Sequence, residues 1–186
     1  MDIDKELSIK LIESIVYSIT ELDEITKVTI TVDGNQLNTY PNSNKIIIMP
    51  LTRDIGINNE YSYTTLDDII KVVIYYGEEI SDEIYYVPVT KYLNNNDNKD
   101  KINIIVEELT TSYIYENNLR SILNENVELI DKEIVDEDLL ILNFNNALFD
   151  NNNTIKEEVL YTLSYSVFAN YPVNTINFKV DGKDVD

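Results

Sequence analysis

The feature that most constrains this chain is a stretch that occurs twice. A shift of 148 positions lays Lys10–Val32 on Glu158–Val180 without a gap, and both copies close on Val-Asp-Gly, at Val32-Asp33-Gly34 and Val180-Asp181-Gly182. Tyr17 then meets Tyr165, Ser18 meets Ser166, Ile19 meets Val167, Val28 meets Ile176 and Ile30 meets Phe178. Apolar positions fall on apolar positions. A duplication at this spacing dictates the architecture before any single element is assigned. The chain reads as the closing part of one repeat, residues 1–36, a connector, 37–68, and one whole repeat, 69–186.

Within the first copy, Leu7, Leu11, Ile15, Ile19 and Leu22 recur at intervals of three and four, with Ile12 and Val16 beside them. This is an amphipathic helix with a wide apolar stripe and Asp4 as its expected N-cap. Val28, Ile30 and Val32 alternate with threonines into the Asp33-Gly34 turn, the pattern of a half-buried strand. That helix and strand lack a domain of their own. Their apolar stripe needs a cover, either on the whole repeat or on a neighbouring chain.

Beyond a polar stretch, Ile46–Leu51 is a short apolar run read as a strand or extended arm, and Ile69–Tyr76 is β-branched and aromatic and ends at Gly77. Ile84–Val89 pairs with it as a hairpin or meander. Ile102, Ile105, Val106 and Leu109 mark a helix from about Asp100 to Tyr113, followed by irregular chain to Asn126. Val127–Val135 and Leu139–Phe144 read as strands around Asp136-Glu137-Asp138. Thr154-Ile155-Lys156-Glu157 has capping-box spacing. The closing helix buries Val159, Leu160, Leu163 and Val167, and Val173–Val180 is the last strand. The expected fold is α+β: a mixed, mostly antiparallel sheet with two helices on one face, preceded by the helix-strand remnant of another repeat.

Charge and composition then remove whole classes of function. With 34 acidic against 14 basic residues the formal charge is −20, which opposes phosphate backbones and anionic lipid and favours basic partners or plain solubility. The chain has no cysteine and no histidine. Thiolate nucleophiles, Ser-His-Asp and Cys-His arrangements and His-based metal chemistry are therefore excluded, and any enzyme would work with carboxylates, Lys or Tyr alone. No run of about 18 apolar residues is present to span a bilayer. The first residues lack the basic and apolar regions of an export signal, so an exported form would have lost its leader.

The remaining chemical candidates have plain structural readings. Asp67-Asp68, Glu78-Glu79, Asp82-Glu83, Glu107-Glu108, Asp136 to Asp138 and Glu157-Glu158 are adjacent carboxylates that point apart into water, unlike an acid-base pair facing across a pocket. The Asn94–Asp100 run lacks the glycine and glutamate of a Ca²⁺ loop. Four scattered glycines make no phosphate loop. No catalytic, cofactor or metal residue is assigned. The 14 tyrosines stand out. Tyr75, Tyr76, Tyr85, Tyr86, Tyr161 and Tyr165 are interface candidates, with core or half-buried packing as the other reading.

In order along the chain, these stretches resemble the GerMN domain of sporulation and spore germination proteins. The resemblance is carried by Val72-Val73-Ile74-Tyr75-Tyr76, Tyr85-Tyr86-Val87-Pro88-Val89, Val106-Glu107-Glu108-Leu109, Leu119-Arg120-Ser121-Ile122-Leu123, Leu140-Ile141-Leu142-Asn143-Phe144, Leu160-Tyr161-Thr162-Leu163 and the doubled Val-Asp-Gly. Asn124 stands where the family often has proline. The resemblance implies a domain like the ring-building modules of secretion systems and a non-enzymatic role in assembling an envelope complex between mother cell and forespore. It also implies an extracytoplasmic place, anchored through a lipidated N-terminus absent from this chain, and envelope or sporulation-complex proteins as partners; the uncovered helix-strand at the start adds a second copy of the chain as a further expected partner. The alternative is a module binding cell-wall sugar or peptide.

Overall fold

A computed structural model describes residues 4–111 and 118–185 and divides the chain into two compact units, 1–59 and 60–186. In the first unit, helix α1 (Lys5–Ile19) leads to strands β1 (Thr31–Val32) and β2 (Asn35–Gln36), which form a tight hairpin. Asp33 and Gly34 both adopt positive φ at its turn, the geometry that an Asp-Gly pair supplies at low steric cost. Asp4 occupies the N-cap position, but its side chain makes no capping bond.

The stretch read as a connector belongs, in its first part, to this unit's core. Tyr40, Ile47 and Leu51 pack with Ile12, Val16 and Val28. Ile46–Leu51 forms no strand. It touches the rest of the unit through single bridges, Thr39 with Ile46 and Leu51 with Val28, because Ile46 and Ile48 point outward. A short 3₁₀ turn, Arg53–Ile55, follows, and Glu13 fastens the end of the unit. Its buried carboxylate accepts from the Asn58 amide at 3.1 Å and Asn59 Nδ2 at 2.7 Å. Burial raises the Glu13 pKa, and those bonds only partly offset it.

In the second unit, β3 (Glu60–Tyr61), β4 (Ile69–Ile80) and β5 (Glu83–Asn94) make a three-stranded sheet in the order β3-β5-β4. Helix α2 (Lys101–Thr111) follows. Strands β6 (Leu129–Val135) and β7 (Leu139–Phe144), helix α3 (Glu157–Phe168), and strands β8 (Thr175–Val180) and β9 (Lys183–Asp184) complete it, with the strands ordered β6-β7-β8-β9. The α+β class and the element order from residue 69 stand as expected. The strands divide into two sheets, however, each with one parallel pair, β3 with β5 and β7 with β8. The expected helix end at Tyr113 and the first part of the irregular stretch lie outside the described residues.

One core joins both sheets and both helices through Val72, Ile74, Tyr76, Ile105, Leu109, Leu140, Leu142 and Leu163. Strand β4 does not end at Gly77. It continues to Ile80 and turns through Ser81 and Asp82, both at positive φ, into β5. Gly77 leaves room for Ile122: a Cβ there would lie 2.6 Å from Ile122 Cδ1, so that side chain would have to move. The expected capping box of α3 is absent. Lys156 takes the N-cap position without a side-chain bond, and Thr154 instead joins the loop closed by Asp150.

Two buried or half-buried ionic groups tie β-strands to helices. Lys91 of β5 is buried and meets Glu60 at 3.2 Å and Glu108 of α2 at 2.5 Å. At the start of α2, Asp100 accepts from Lys132, from the Tyr171 hydroxyl and from the Ile102 amide at 3.3 Å. Partial burial opposes ionisation of Asp100, but these donors outweigh it and hold its pKa below the ordinary value.

Gly77→Ala is expected to cost about 1–3 kcal/mol by overpacking. Chemical denaturation measures the loss, and adding Ile122→Ala should recover part of it. The depressed pKa of Asp100 contributes stability that is present above the unfolded value and lost as pH falls through the folded one. Thermal melts of Asp100→Asn should therefore lie below those of the parent at neutral pH and converge with them in acid, once the pH has fallen through the depressed folded value.

Candidate functional site

Side chains on a strand alternate between faces, so neighbouring tyrosines in β4 and β5 part company. Tyr76 points into the core and is fully buried, which removes it from the interface candidates. Tyr85 is exposed but stands by itself as a site, its hydroxyl donating to Glu83 at 3.0 Å. Tyr75 and Tyr86 share the other face, where the register places them diagonally, Tyr75 opposite Pro88 and Gly77 opposite Tyr86.

Helix α3 brings Tyr161 and Tyr165, one turn apart, onto this pair. Ring centroids are 5.4 Å apart for Tyr75–Tyr165, 5.5 Å for Tyr86–Tyr161 and 5.6 Å for Tyr86–Tyr165. Tyr161 and Tyr165 lie nearly parallel, 5.8 Å apart. Four of the six predicted tyrosines therefore form one cluster. Its outer members stay in solvent: Tyr161 is 40% exposed and Tyr165 41%.

What holds α3 in place is the edge of β4. Asn170 Oδ1 accepts from the Val73 amide at 3.1 Å, and Asn170 Nδ2 donates to the Val73 carbonyl at 2.6 Å. Ser166 Oγ accepts from the Tyr75 amide at 2.9 Å. Next along the same edge, Gly77 and Arg120 exchange both backbone hydrogen bonds. These contacts occupy an edge that would otherwise be open to another strand. They also fix the helix rotation that turns Tyr161 and Tyr165 outward.

Two further parts of the site were assigned no role from sequence. Phe168 extends the face and is 44% exposed, and the spacing Tyr161, Tyr165, Phe168 marks one helix side. Glu157 and Glu158, read as solvated carboxylates, supply negative charge. Burial and then the charges of Glu158 and Glu157 raise the Tyr86 pKa; a hydrogen bond with Glu157 raises that of Tyr161. The face is aromatic, hydroxylated and acidic, suited to cations and planar groups.

Elsewhere in the chain, an open depression of about 760 Å³ in the first unit is lined by Tyr40, Pro41 and Lys45 with other residues, none of them acidic. Among the described residues no group of carboxylates is placed to hold a metal, and no helix is long and apolar enough to cross a membrane.

The two closing hairpins share one local structure. Register, turn dihedrals and the bond from residue 37 to 30 in the first recur in the second as the bond from 185 to 178. Fold and site together define an α+β module built on a duplicated helix-hairpin and carrying an acidic tyrosine face. The family model described as Sporulation and spore germination matches residues 2–38 and 61–186, and the chain belongs to that family. Spore germination protein GerM of Bacillus subtilis is 29% identical over 184 residues, 96% of this chain. The chain spans 50% of that relative's length. The solved tandem GerMN domains of GerM superpose with a TM-score of 0.85 at 30% identity, covering 97% of this chain and 64% of that one.

A double-mutant cycle between Tyr75→Ala and Tyr165→Ala should return a coupling of about 0.5–1.5 kcal/mol in unfolding free energy. A Tyr85→Ala cycle with Tyr165→Ala should return none.

Proposed function

We propose that the chain is a non-enzymatic assembly module of a bacterial envelope complex that serves sporulation or spore germination, working outside the cytoplasm through protein-protein contacts. Its kinship with GerM, named for spore germination and described as a sporulation protein, supports the process. The observation that carries the mode of action is the exposed cluster of Tyr161 and Tyr165 over Tyr75 and Tyr86. Tyrosine supplies a large amphipathic contact area at little entropic cost, which is why it concentrates in binding hot spots. The rings meet one another, and the Asn- and Asp-rich loops are closed by their own hydrogen bonds, as where Asn95 accepts from the Lys99 amide and donates to its carbonyl.

The test is replacement of Tyr161 and Tyr165 by serine in the full-length protein in sporulating cells of its host. The expected result is loss of spore formation or germination with protein level maintained and the melting temperature lowered only by the few degrees that the lost ring contacts account for. Normal spores from that variant would refute the role of the face. Loss of function on neutralising a single carboxylate pair, or binding of soluble muropeptides that the serine variant abolishes, would replace assembly by catalysis or wall recognition.

A further inference from the structure

In the first unit, the open depression of about 760 Å³ is walled by a loop that local bonds hold in shape. Thr39 bridges Ile46, and the Tyr40 amide donates to the Lys45 carbonyl at 3.0 Å, so residues 39–46 leave and return like a small hairpin. At its tip the Ser43 amide donates to the Tyr40 carbonyl at 3.0 Å across Pro41 and Asn42. Asn42 has positive φ, and proline followed by such a residue suits the centre of this turn. Ser8 shares its hydroxyl between the carbonyls of Lys5, at 2.8 Å, and Pro41, at 2.9 Å, which ties the loop to α1. The wall therefore exists without a ligand.

Its lining is unlike the rest of the chain. Acidic residues outnumber basic ones by 34 to 14, yet Lys5 and Lys45 line the depression and no carboxylate does. Neither ammonium forms an ion pair among the described residues. Glu6, beside Lys5 in sequence, is taken by Lys10 at 2.8 Å. Lys45 lies over the Tyr40 ring at 5.1 Å. The side chains of Thr39 and Asn44 also make no bond within the chain among the described residues, so a hydroxyl and an amide stand ready for a polar ligand. Val32, 54% exposed, and Leu37 add apolar lining.

The negative charge of the whole chain does not forbid an anion here. Residues 1–59 hold nine acidic against five basic residues, whereas 60–186 hold 25 against nine. Screening over about 8 Å at physiological salt then leaves the local lining to decide.

We infer that this depression binds an anionic sugar. Lys5 and Lys45 draw its carboxylate or phosphate, Thr39 and Asn44 meet its hydroxyls, and Val32 and Leu37 meet its C–H faces. The volume lies within the range of roughly 300–1,000 Å³ that small-molecule sites occupy, and a few polar groups on a partly apolar lining is their usual make-up. Residues 39–45, most of the lining, fall between the segments 2–38 and 61–186 that the family model matches. The inference goes beyond the assembly role and does not depend on it.

The test titrates the isotope-labelled full chain with three soluble probes and follows binding by NMR shifts and calorimetry. A disaccharide-tetrapeptide muropeptide carries carboxylates, a glucosylated glycerol-phosphate oligomer carries phosphates, and chitotriose is neutral. At least one charged probe should bind about tenfold or more tighter than chitotriose, equivalent to 1.4 kcal/mol, with amide shifts concentrated in residues 32–45. Comparing the two charged probes then separates a carboxylated from a phosphorylated polymer. Lys5→Gln with Lys45→Gln should weaken binding by about the same factor at an unchanged melting temperature, Asn44→Ala should weaken it several-fold, and added salt should weaken it further. Serine at 161 and 165 should leave it unchanged. Chitotriose binding as tightly as the charged probes, indifference to the two lysine changes, or no shifts with any probe would overturn the inference and leave the assembly role standing. Loss of binding in the serine variant would overturn it too, by moving recognition to the tyrosine face.

Discussion

The second unit depends on how the outer edge of β4 is closed. Val73, Tyr75 and Gly77 turn their amides away from β5, and each finds a partner in Asn170, Ser166 or Arg120. A buried or half-buried backbone group without a partner costs more than a typical net hydrogen bond returns, so this edge needs a cover of defined shape. Helix α3 is that cover. The same geometry explains Pro88 in the middle of a twelve-residue strand. Tyr75, opposite it, directs its backbone away from β5, so the pair is not a hydrogen-bonded one and the N–H that proline lacks is not needed between these strands.

Once α3 is fixed by Ser166 and Asn170, its remaining surface has no freedom. Leu163 and Val167 go inward to the core, and Tyr161, Tyr165 and Phe168 go out. The candidate site is a by-product of closing the sheet, which makes it rigid. Rigid aromatic surface loses little entropy on binding, the property that a docking face needs. The acidic pair at the start of the helix lies where the positive end of the helix dipole favours carboxylates, so charge for the site and stability for the helix coincide.

Much of this was legible in the residues. Alternation and three-four spacing marked all three helices and the long strands, and the two Asp-Gly turns announced hairpins whose dihedrals agree within a few degrees. The assignment of Gly77 as a strand end failed because a glycine that makes room for Ile122 looks, in sequence, like one that makes a turn. Residues 37–59 read as connector because Tyr40, Ile47 and Leu51 are spaced without period, and only contact with α1 makes them core. The capping box failed because Thr154 had a nearer partner in Asp150. Tyr76 could not be told from Tyr75 until the strand register assigned their faces.

The sequence alone determined that one helix-hairpin is used twice, that the chain is α+β, and that its chemistry excludes histidine and cysteine. Those follow from periodicity and composition, which are local. Only the tertiary structure decided which side of α1 is buried: Leu7 and Leu11 of the expected stripe are exposed while Ile12, Glu13, Val16 and Tyr17 are inside, whereas on α3 Val159, Leu163 and Val167 are buried as their spacing predicts. The choice is made by what else reaches the helix: the returning segment with Leu51 and Arg53 in the first unit, the edge of β4 in the second. Burial is a property of the partner as much as of the helix, and the partner is not written in the helix's own residues.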